Sequence, residues 1–236
     1  MPVPPMIGVI AALPEEAAVI AGAMRESRVS RSAGVAVTCG IIGGREVVLA
    51  QSGVGKVNAA LCAQALISVY AVDCVINAGV AGALDRRLAT GQLVVAKDCV
   101  QYDVDATAAG FDLGEVPGMR QVAYTAAPDL VALAEAVAHK LNVTTRIGRV
   151  LTGDRVVASA ALKQALADHF GGLCAEMEGA AVGQVAAVNQ VPFAVIRGIS
   201  DLADEALNEA YQTHYARAAV SVGLVAAAMI ALMPVH

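Results

Sequence analysis

Short apolar runs alternate along the chain with longer stretches in which apolar residues recur at helical spacing. The runs 6–11, 35–42, 46–51, 74–77, 92–100, 145–151 and 192–199 predict strands, and the stretches 14–24, 56–70, 128–141, 159–170, 178–189 and 210–232 predict helices. Strands that alternate with helices favour a central, mixed but mostly parallel twisted sheet with helices on both faces. No linker or repeat interrupts the pattern. We therefore predict an α/β, three-layer fold in a single domain spanning 1–236.

Acidic residues follow three of the apolar runs. Glu16 comes after the first strand, Glu176 and Glu178 come after the run 173–175, and Asp201 comes after the last strand. Ligands of open α/β sheets bind beyond the carboxyl ends of the strands, so we expect these acids to converge on one site. Acids without an obvious set of metal ligands indicate proton chemistry on a neutral, hydroxyl-rich substrate.

Each acid also has a structural explanation that the sequence leaves open. Glu15, Glu16 and Glu178 lie in the first turns of predicted helices, where the helix dipole stabilises negative charge. Asp201 has the residue type of a helix N-cap.

Composition excludes several classes of function. The chain of 236 residues is 57% hydrophobic and 3% aromatic, and its net charge of -5 provides no basic field for nucleic acid or an anionic membrane. Its five cysteines are widely spaced, without a CxxC pattern or a Cys/His cluster. We therefore expect no metal, no cofactor and no disulfide framework, and buried thiols in a reducing cytoplasm.

The segment 218–235 is uncharged and nearly long enough to cross a membrane. It is rich in Ala, Val and Gly and directly follows Arg217. A C-terminal helix packed on the sheet explains it more simply, so we expect no membrane partner.

Two glycine-containing segments invite comparison with ligand-binding loops. Residues 52–56 resemble a phosphate loop, but Val57 stands where a Ser or Thr would hold magnesium, so a tight turn is the simpler interpretation. Residues 77–82 follow a predicted strand. Gly79 and Gly82 there either bring the backbone close to a ligand or form a crowded turn beneath a helix.

Five stretches of the chain together match one known family in order. They are 7–16 (IGVIAALPEE), 52–60 (SGVGKVNAA), 77–82 (NAGVAG), 175–179 (AEMEG) and 197–201 (RGISD). The chain resembles the nucleoside phosphorylase/hydrolase superfamily, and most closely the 5′-methylthioadenosine/S-adenosylhomocysteine nucleosidases. The resemblance extends through 102–107 (YDVDAT) and 114–118 (GEVPG), and so covers nearly the whole chain.

The resemblance implies hydrolysis of the N-glycosidic bond of a small purine nucleoside, with release of adenine and a 5-substituted ribose. Positive charge develops on the ribose and negative charge on the base as this bond breaks, so the reaction needs an acid near the base and a positioned water. In the family pattern, Asp201, assisted by Ser200, hydrogen-bonds or protonates N7 of the purine. Glu16 deprotonates the attacking water.

The resemblance also assigns the substrate-binding residues. Glu178 accepts hydrogen bonds from the ribose hydroxyls, Met177 packs on the sugar, and Glu176 belongs to the same segment. Arg197 lies near the water and Glu178, and the backbone of Val157 faces the edge of the adenine.

Three residues depart from the family pattern. Val80 replaces a serine near the ribose, and Val156 replaces an aromatic residue that stacks on adenine. Ala109 replaces a phenylalanine of an intersubunit loop. Loss of stacking removes about 1 kcal/mol of attraction and widens the pocket, while Tyr211 could supply an aromatic wall near the 5′ end.

The same resemblance implies a homodimer. The loop 102–120, which includes Ala106, Ala109 and Pro117, reaches into the neighbouring subunit's site in that family.

Three alternatives stay open. A futalosine or aminofutalosine hydrolase has the same fold, and a wider pocket suits its bulky substrate. A phosphorylase needs several arginines around phosphate, for which Arg86 and Arg87 are candidates besides Arg197. An inactive nucleoside-binding module is disfavoured by the presence of all three acids.

Overall fold

The computed structural model describes residues 6–32, 34–203 and 207–233, without the side chains of 32 and 207–213. The strands are β1 (Met6–Ala11), β2 (Arg25–Ser32), β3 (Val35–Ile42), β4 (Arg45–Gln51), β5 (Cys74–Ala83), β6 (Leu93–Gln101), β7 (Ala123–Thr125), β8 (Thr145–Thr152), β9 (Cys174–Glu176) and β10 (Phe193–Asp201). The α-helices are α1 (Pro14–Ala23), α2 (Lys56–Tyr70), α3 (Pro128–Lys140), α4 (Ala160–Phe170), α5 (Gly179–Asn189) and α6 (Leu207–Leu232).

All ten strands of the described residues join one mixed sheet. Its order is β10-β6-β8-β9-β5-β1-β4-β3-β2, with β7 on β6, and β10 also pairs with β5. Strands β4, β1, β5 and β10 run parallel to their neighbours in that group, and β6, β8 and β9 form a second parallel group. The continuous sheet supports the prediction of one domain.

Helices cover both faces of this sheet. Helix α6 contacts α1 and α3 on one face, and α2 contacts α5 on the other. The predicted α/β fold of three layers is confirmed.

The C-terminal helix α6 is packed on the sheet, as the sequence predicts. The segment His214–Leu232 is long and apolar enough to cross a membrane, with a mean hydropathy of 1.8, but 56% of its apolar window is buried inside the protein. Small residues such as Ala218 and Val222 lie against β10, where a Cβ on Gly198 would be 2.8 Å from the Ala218 carbonyl oxygen. The small side chains therefore permit close packing of the helix on the sheet.

One prediction about the glycine-rich segment 77–82 is wrong. Strand β5 does not end at Asn77 but continues to Ala83, so Gly79 and Gly82 are strand residues and form no turn. A Cβ on Gly79 would lie 2.8 Å from Arg197 Nη1 and 2.9 Å from Glu16 Oε1. The glycines thus allow charged side chains from other elements to lie directly on the strand.

Strand β2 is absent from the sequence-based prediction. Its sequence, RESRVSRS, is polar, and its one valine, Val29, is 80% exposed. The strand pairs with β3 at the edge of the sheet and buries little, so it has no apolar alternation to reveal it.

The carboxyl ends of the two parallel groups meet at one place. Strands β5 and β9 are antiparallel and pair only through Gly82 with Ala175 and Ala83 with Cys174. Strand β9 in turn pairs Glu176 with Thr152 at the end of β8. Strand ends that run in opposite directions therefore border a common space.

Candidate active site

A cavity of about 460 Å³ occupies the space where these strand ends meet. Glu16, Glu178 and Asp201, to which the resemblance assigns the water, the ribose and the purine, all line it. Among the described residues, the lining is Ala12, Leu13, Glu16, Val54, Val80, Ala81, Gly82, Arg155, Val156, Val157, Ala175, Glu176, Met177, Glu178, Ser200 and Asp201.

Glu16 is held at the cavity wall by main-chain N–H groups. Its Oε2 accepts hydrogen bonds from Ala12 N–H (2.9 Å) and Leu13 N–H (3.0 Å), and its Oε1 accepts one from Val80 N–H (3.0 Å). The first two are bonds that an acid at the third helical position makes to a helix start. Burial raises the pKa of the Glu16 carboxyl above its ordinary value, which makes it a stronger base.

Glu178 immediately precedes α5, and its side chain is 9% exposed in its own chain. Its Oε1 accepts a hydrogen bond from Gly55 N–H (2.8 Å), and its Oε2 lies 3.8 Å from Arg197 Nη2. Burial and the adjacent charge of Glu176 raise the pKa of Glu178 to about 7, against the opposing effect of Arg197.

Glu176 lines the cavity, but protein groups occupy its carboxylate. It accepts hydrogen bonds from the N–H groups of Glu178 (3.0 Å) and Gly179 (2.8 Å), from the Thr152 hydroxyl, and from Arg197 Nε (3.0 Å). These bonds join β8, β9, β10 and the start of α5. Its predicted role as a substrate-binding residue stays a prediction.

Arg197 is buried behind the cavity and does not line it. Its Nη2 donates to Asn77 Oδ1 (2.5 Å) as well as to Glu176, and Asn77 Nδ2 donates to Ile10 O (3.1 Å). Since a guanidinium is always charged, this cation lowers the cost of keeping several acids together in the interior.

Asp201 ends β10 beside Ser200, whose hydroxyl the family resemblance assigns to assist it. Ser200 Oγ donates to Asp201 Oδ2 (2.7 Å), and Ala203 N–H donates to Asp201 Oδ1 (2.9 Å). A Cβ on Gly82 would lie 2.8 Å from Oδ1. The carboxylate is therefore fixed directly over β5 at the side of the cavity.

The loop after β8 lines the cavity with both valines that the sequence analysis selected. Val157 is buried, and neither its N–H nor its C=O is paired with another residue in the described ranges. Val156 is 57% exposed. Tyr102 packs against Gly153, and its hydroxyl donates to the Arg155 carbonyl (2.8 Å), which fixes this loop.

Two predicted residues, Ala109 and Pro117, do not line the cavity of their own chain. Ala109 is in a short 3₁₀ turn, Thr107–Ala109, and both it and Pro117 are exposed. Tyr211 falls in the early part of α6, and its side chain is outside the described residues. The proposed contacts of these residues stay predictions.

Sequence reasoning missed the groups that hold the acids. The Gly55 N–H and the Asn77 amide belong to the family motifs 52–60 and 77–82, and the Thr152 hydroxyl directly follows a predicted strand. Nothing in the sequence shows which acid each of these groups contacts. Thr152 Oγ1 also accepts a hydrogen bond from Ala180 N–H (2.7 Å), which connects β8 to the start of α5.

The strand-end cavity and its carboxylates define an α/β protein with a ligand site at the carboxyl ends of its strands. Residues 6–231 match the phosphorylase superfamily, and the chain belongs to this superfamily. The resemblance found in the sequence is therefore confirmed.

Individual proteins that are similar to this chain indicate which members of the superfamily it resembles. The 5′-methylthioadenosine/S-adenosylhomocysteine nucleosidase of Staphylococcus aureus (strain MRSA252) is 36% identical over 92% of this chain and 95% of its own length. The nucleosidase of that name from Neisseria meningitidis, solved with methylthio-immucillin-A, has a TM-score of 0.94 at 30% identity, covering 97% of this chain and 99% of its own. The futalosine hydrolase of Helicobacter pylori strain 26695 has a TM-score of 0.92 at 31% identity, covering 96% of this chain and 97% of its own.

Proposed function

We propose that this protein is a purine nucleosidase that hydrolyses the N-glycosidic bond of 5′-methylthioadenosine and/or S-adenosylhomocysteine. The products are adenine and the 5-substituted ribose. One observation carries the proposal: Glu16, Glu178 and Asp201, from three separate elements, line a single cavity of about 460 Å³. The similarity to nucleosidases over nearly the whole chain supports the same reaction.

Asp201 is assigned to the purine. Departure of the base places negative charge on the ring, and a carboxyl group that hydrogen-bonds or protonates N7 stabilises this charge. The Ser200 hydroxyl orients the carboxyl through its 2.7 Å hydrogen bond. The backbone N–H and C=O of Val157, which pair with no other described residue, supply a donor and an acceptor to the edge of the adenine.

Glu178 is assigned to the ribose hydroxyls. Its Oε1 already accepts the Gly55 N–H, so lone pairs remain for hydroxyl donors. Met177 precedes it in the cavity lining and supplies apolar contact to the sugar. Negative charge here also favours the positive charge that develops on the ribose in the transition state.

Glu16 is assigned to the attacking water. Three main-chain donors fix its carboxylate, and its raised pKa favours proton transfer from water. Arg197 lies behind both glutamates, and its positive charge stabilises their anionic forms. This charge partly offsets the rise in both pKa values that burial causes.

The charges of the cavity favour water over phosphate as the nucleophile. Of the residues that line it, Arg155 alone is basic, while Glu16 and Glu178 repel a phosphate dianion. The two further candidates for phosphate binding lie elsewhere: Arg87 pairs with Asp85 at 2.6 Å, and Arg86 donates to Gln164 Oε1 at 3.1 Å.

Release of adenine from 5′-methylthioadenosine, with and without phosphate, tests the proposal. We expect equal release in both buffers, together with free 5-methylthioribose. Strict dependence on phosphate and a sugar 1-phosphate product would instead indicate a phosphorylase.

A panel of 5′-substituted nucleosides, including S-adenosylhomocysteine, futalosine and aminofutalosine, tests the choice of substrate. The exposed Val156 and the similarity to the futalosine hydrolase favour hydrolysis of futalosine or aminofutalosine as a second candidate activity. Cleavage of futalosines alone would replace the main proposal. Absence of cleavage of any purine nucleoside would favour a binding module.

We also infer that the protein acts as a homodimer. Val57 and Leu61 on α2 are 70% and 62% exposed, and Val188 on the adjacent α5 is 61% exposed. An apolar face of this kind is typical of an interface. Association through it would cover these valines and leucine while the exposed loop 102–120 reaches the neighbouring cavity.

Sedimentation analysis tests this assembly. We expect a dimer that Leu61→Asp converts to monomer, with loss of activity, while Val29→Asp on the exposed β2 changes neither property. A wild-type monomer with full activity would contradict the inference.

The redox state of the cysteines supports a cytoplasmic location. Cys39, Cys62, Cys74, Cys99 and Cys174 are all free thiols. We therefore propose that the protein acts in a reducing compartment.

A further inference from the structure

The segment 52–56, for which the sequence favours a tight turn, ends at Lys56, which is hydrogen-bonded through both its main chain and its side chain. Lys56 N–H donates to Asp154 Oδ1 (2.8 Å), and Lys56 Nζ donates to Asp103 Oδ1 (2.6 Å). The Lys56 and Asp103 side chains are only 18% and 27% exposed. Lys56 therefore connects the start of α2 to two other loops.

Asp103 closes these contacts into a ring. Its Oδ2 accepts a hydrogen bond from Asp154 N–H (2.9 Å), so Lys56, Asp103 and Asp154 each bond to the other two. We call these three residues the Lys56 ring. Tyr102 reinforces it, because its N–H donates to Thr152 O (3.0 Å).

The Lys56 ring is joined to Glu178, the carboxylate assigned to the ribose, through the peptide between Gly55 and Lys56. Gly55 N–H donates to Glu178 Oε1 (2.8 Å), while the next amide, Lys56 N–H, donates to Asp154. Gly55 has a φ of +100°, and a Cβ there would be 3.0 Å from Asp154 Oδ1. Asp154 Oδ1 therefore lies against Gly55 and holds the amide next to the one that donates to Glu178.

We propose that Asp103 and Asp154 are positioning residues that, through Lys56, fix the Gly55 N–H on Glu178 and connect the loop 102–120 to the ribose end of the cavity. The assignment of Glu178 to ribose rests on the proposed function, whereas the positioning of its carboxylate does not. Asp103 is the second residue of the loop, so a shift of the loop is transmitted to Glu178 through two hydrogen bonds and one peptide.

The proposal has an electrostatic consequence at Glu178. A donor to a carboxylate favours its charged form and so lowers its pKa. The other charged groups that face Glu178 are Glu176 from β9, Arg197 from β10 and Glu16 from α1. None of them belongs to the Lys56 ring, so disruption of the ring leaves them in place and raises the pKa of Glu178.

The Gly55 amide resonance measures this pKa without any need for turnover. Its chemical shift follows the charge of Glu178, because the Gly55 N–H donates a hydrogen bond to that carboxylate. In full-length protein labelled with ¹⁵N, we expect Asp154→Ala and Asp103→Ala to raise the midpoint of the Gly55 titration by about 0.5–1 pH unit. Asp154→Asn keeps an oxygen acceptor for Lys56 N–H and should restore the wild-type midpoint.

Asp85→Ala provides the matched control. It removes an ion pair of the same 2.6 Å length and an acceptor of one backbone N–H, and neither Asp85 nor Arg87 lines the cavity. An unchanged Gly55 midpoint in both ring variants would overturn the proposal, as would an equal shift in Asp85→Ala. Failure of adenine release in wild-type protein would overturn the proposed function but would leave the titration result valid.

Discussion

The Arg197 guanidinium donates to one oxygen of Glu176, Oε2, from both Nε and Nη2. Both side chains are 1% exposed. The neighbouring Glu178 is farther from this cation, with Oε2 at 3.8 Å from Nη2. The pairing commits Glu176 to the interior and leaves Glu178 available to substrate.

Glu176 and Glu178 should therefore differ in what they contribute to stability. Glu176→Gln leaves Arg197 without its principal partner, and we expect the free energy of unfolding to fall by about 3 kcal/mol. The raised pKa of Glu178 means that its ionised form disfavours folding: the contribution to stability is complete below its unfolded pKa and is lost as pH rises through about 7. At pH 8, Glu178→Gln should therefore cost no stability.

Urea unfolding at pH 8 measures both variants. Equal destabilisation by the two substitutions would show that the acids share the arginine.

Glu16→Gln should remove activity while preserving the fold. The amide oxygen still accepts the N–H donors at the start of α1, but the amide NH₂ group faces the Val80 N–H and the side chain cannot take a proton from water. We expect kcat to fall about 10²–10⁴-fold, measured as adenine release, with a cooperative thermal transition that shows a folded protein. Glu15→Gln, in the same helical turn but exposed and outside the cavity, is the control and should retain wild-type kcat.

The pH dependence of kcat/KM should have an acid limb near the pKa of Glu178. Ionised Glu178 accepts the ribose hydroxyls, so activity should fall about tenfold per unit below pH 7. The raised pKa of Glu16 acts in the same direction, and the limb reports both carboxylates together. Rates between pH 5 and 9 measure this limb. A profile that stays flat down to pH 5 would contradict the assignment of both glutamates.

Asp201→Asn should lower turnover far more than ground-state binding. The variant keeps a hydrogen-bonding group near N7 but loses the acid that transfers a proton to the base, so we expect kcat to fall about 10²–10⁴-fold. The dissociation constant of an uncleavable nucleoside analogue should change less than about tenfold. Calorimetry and adenine release measure the two quantities, and an unchanged turnover would refute the role of Asp201.

Val156→Phe should tighten nucleoside binding. An aromatic side chain that stacks on the purine adds about 1 kcal/mol, or roughly a fivefold decrease in the dissociation constant. Val29→Phe, at an exposed position of β2, controls for added surface hydrophobicity. Weaker binding by Val156→Phe would indicate that the wider pocket accommodates a bulkier group.

The sequence predicts the parts of this protein that depend on local pattern. Buried strands, amphipathic helices and acids at strand ends follow from residue order, and the convergence of Glu16, Glu178 and Asp201 follows from the rule for strand ends. The contact between Gly55 and Glu178 does not, because it joins residues 123 positions apart. Nor does the continuation of β5 through Gly79 and Gly82, since glycine is typical of turns and the approaching side chains come from distant segments.

Main-chain amides hold each acid of the cavity. Glu16 is bound by Val80 N–H, Glu178 by Gly55 N–H and Asp201 by Ala203 N–H. Because every residue except proline provides such a donor, the anchor at position 80 does not depend on which side chain occupies that position. Valine can thus stand at position 80, where the family usually has serine, without releasing Glu16. The walls of the pocket are free to diverge toward new 5′ substituents while the reactive groups stay in place.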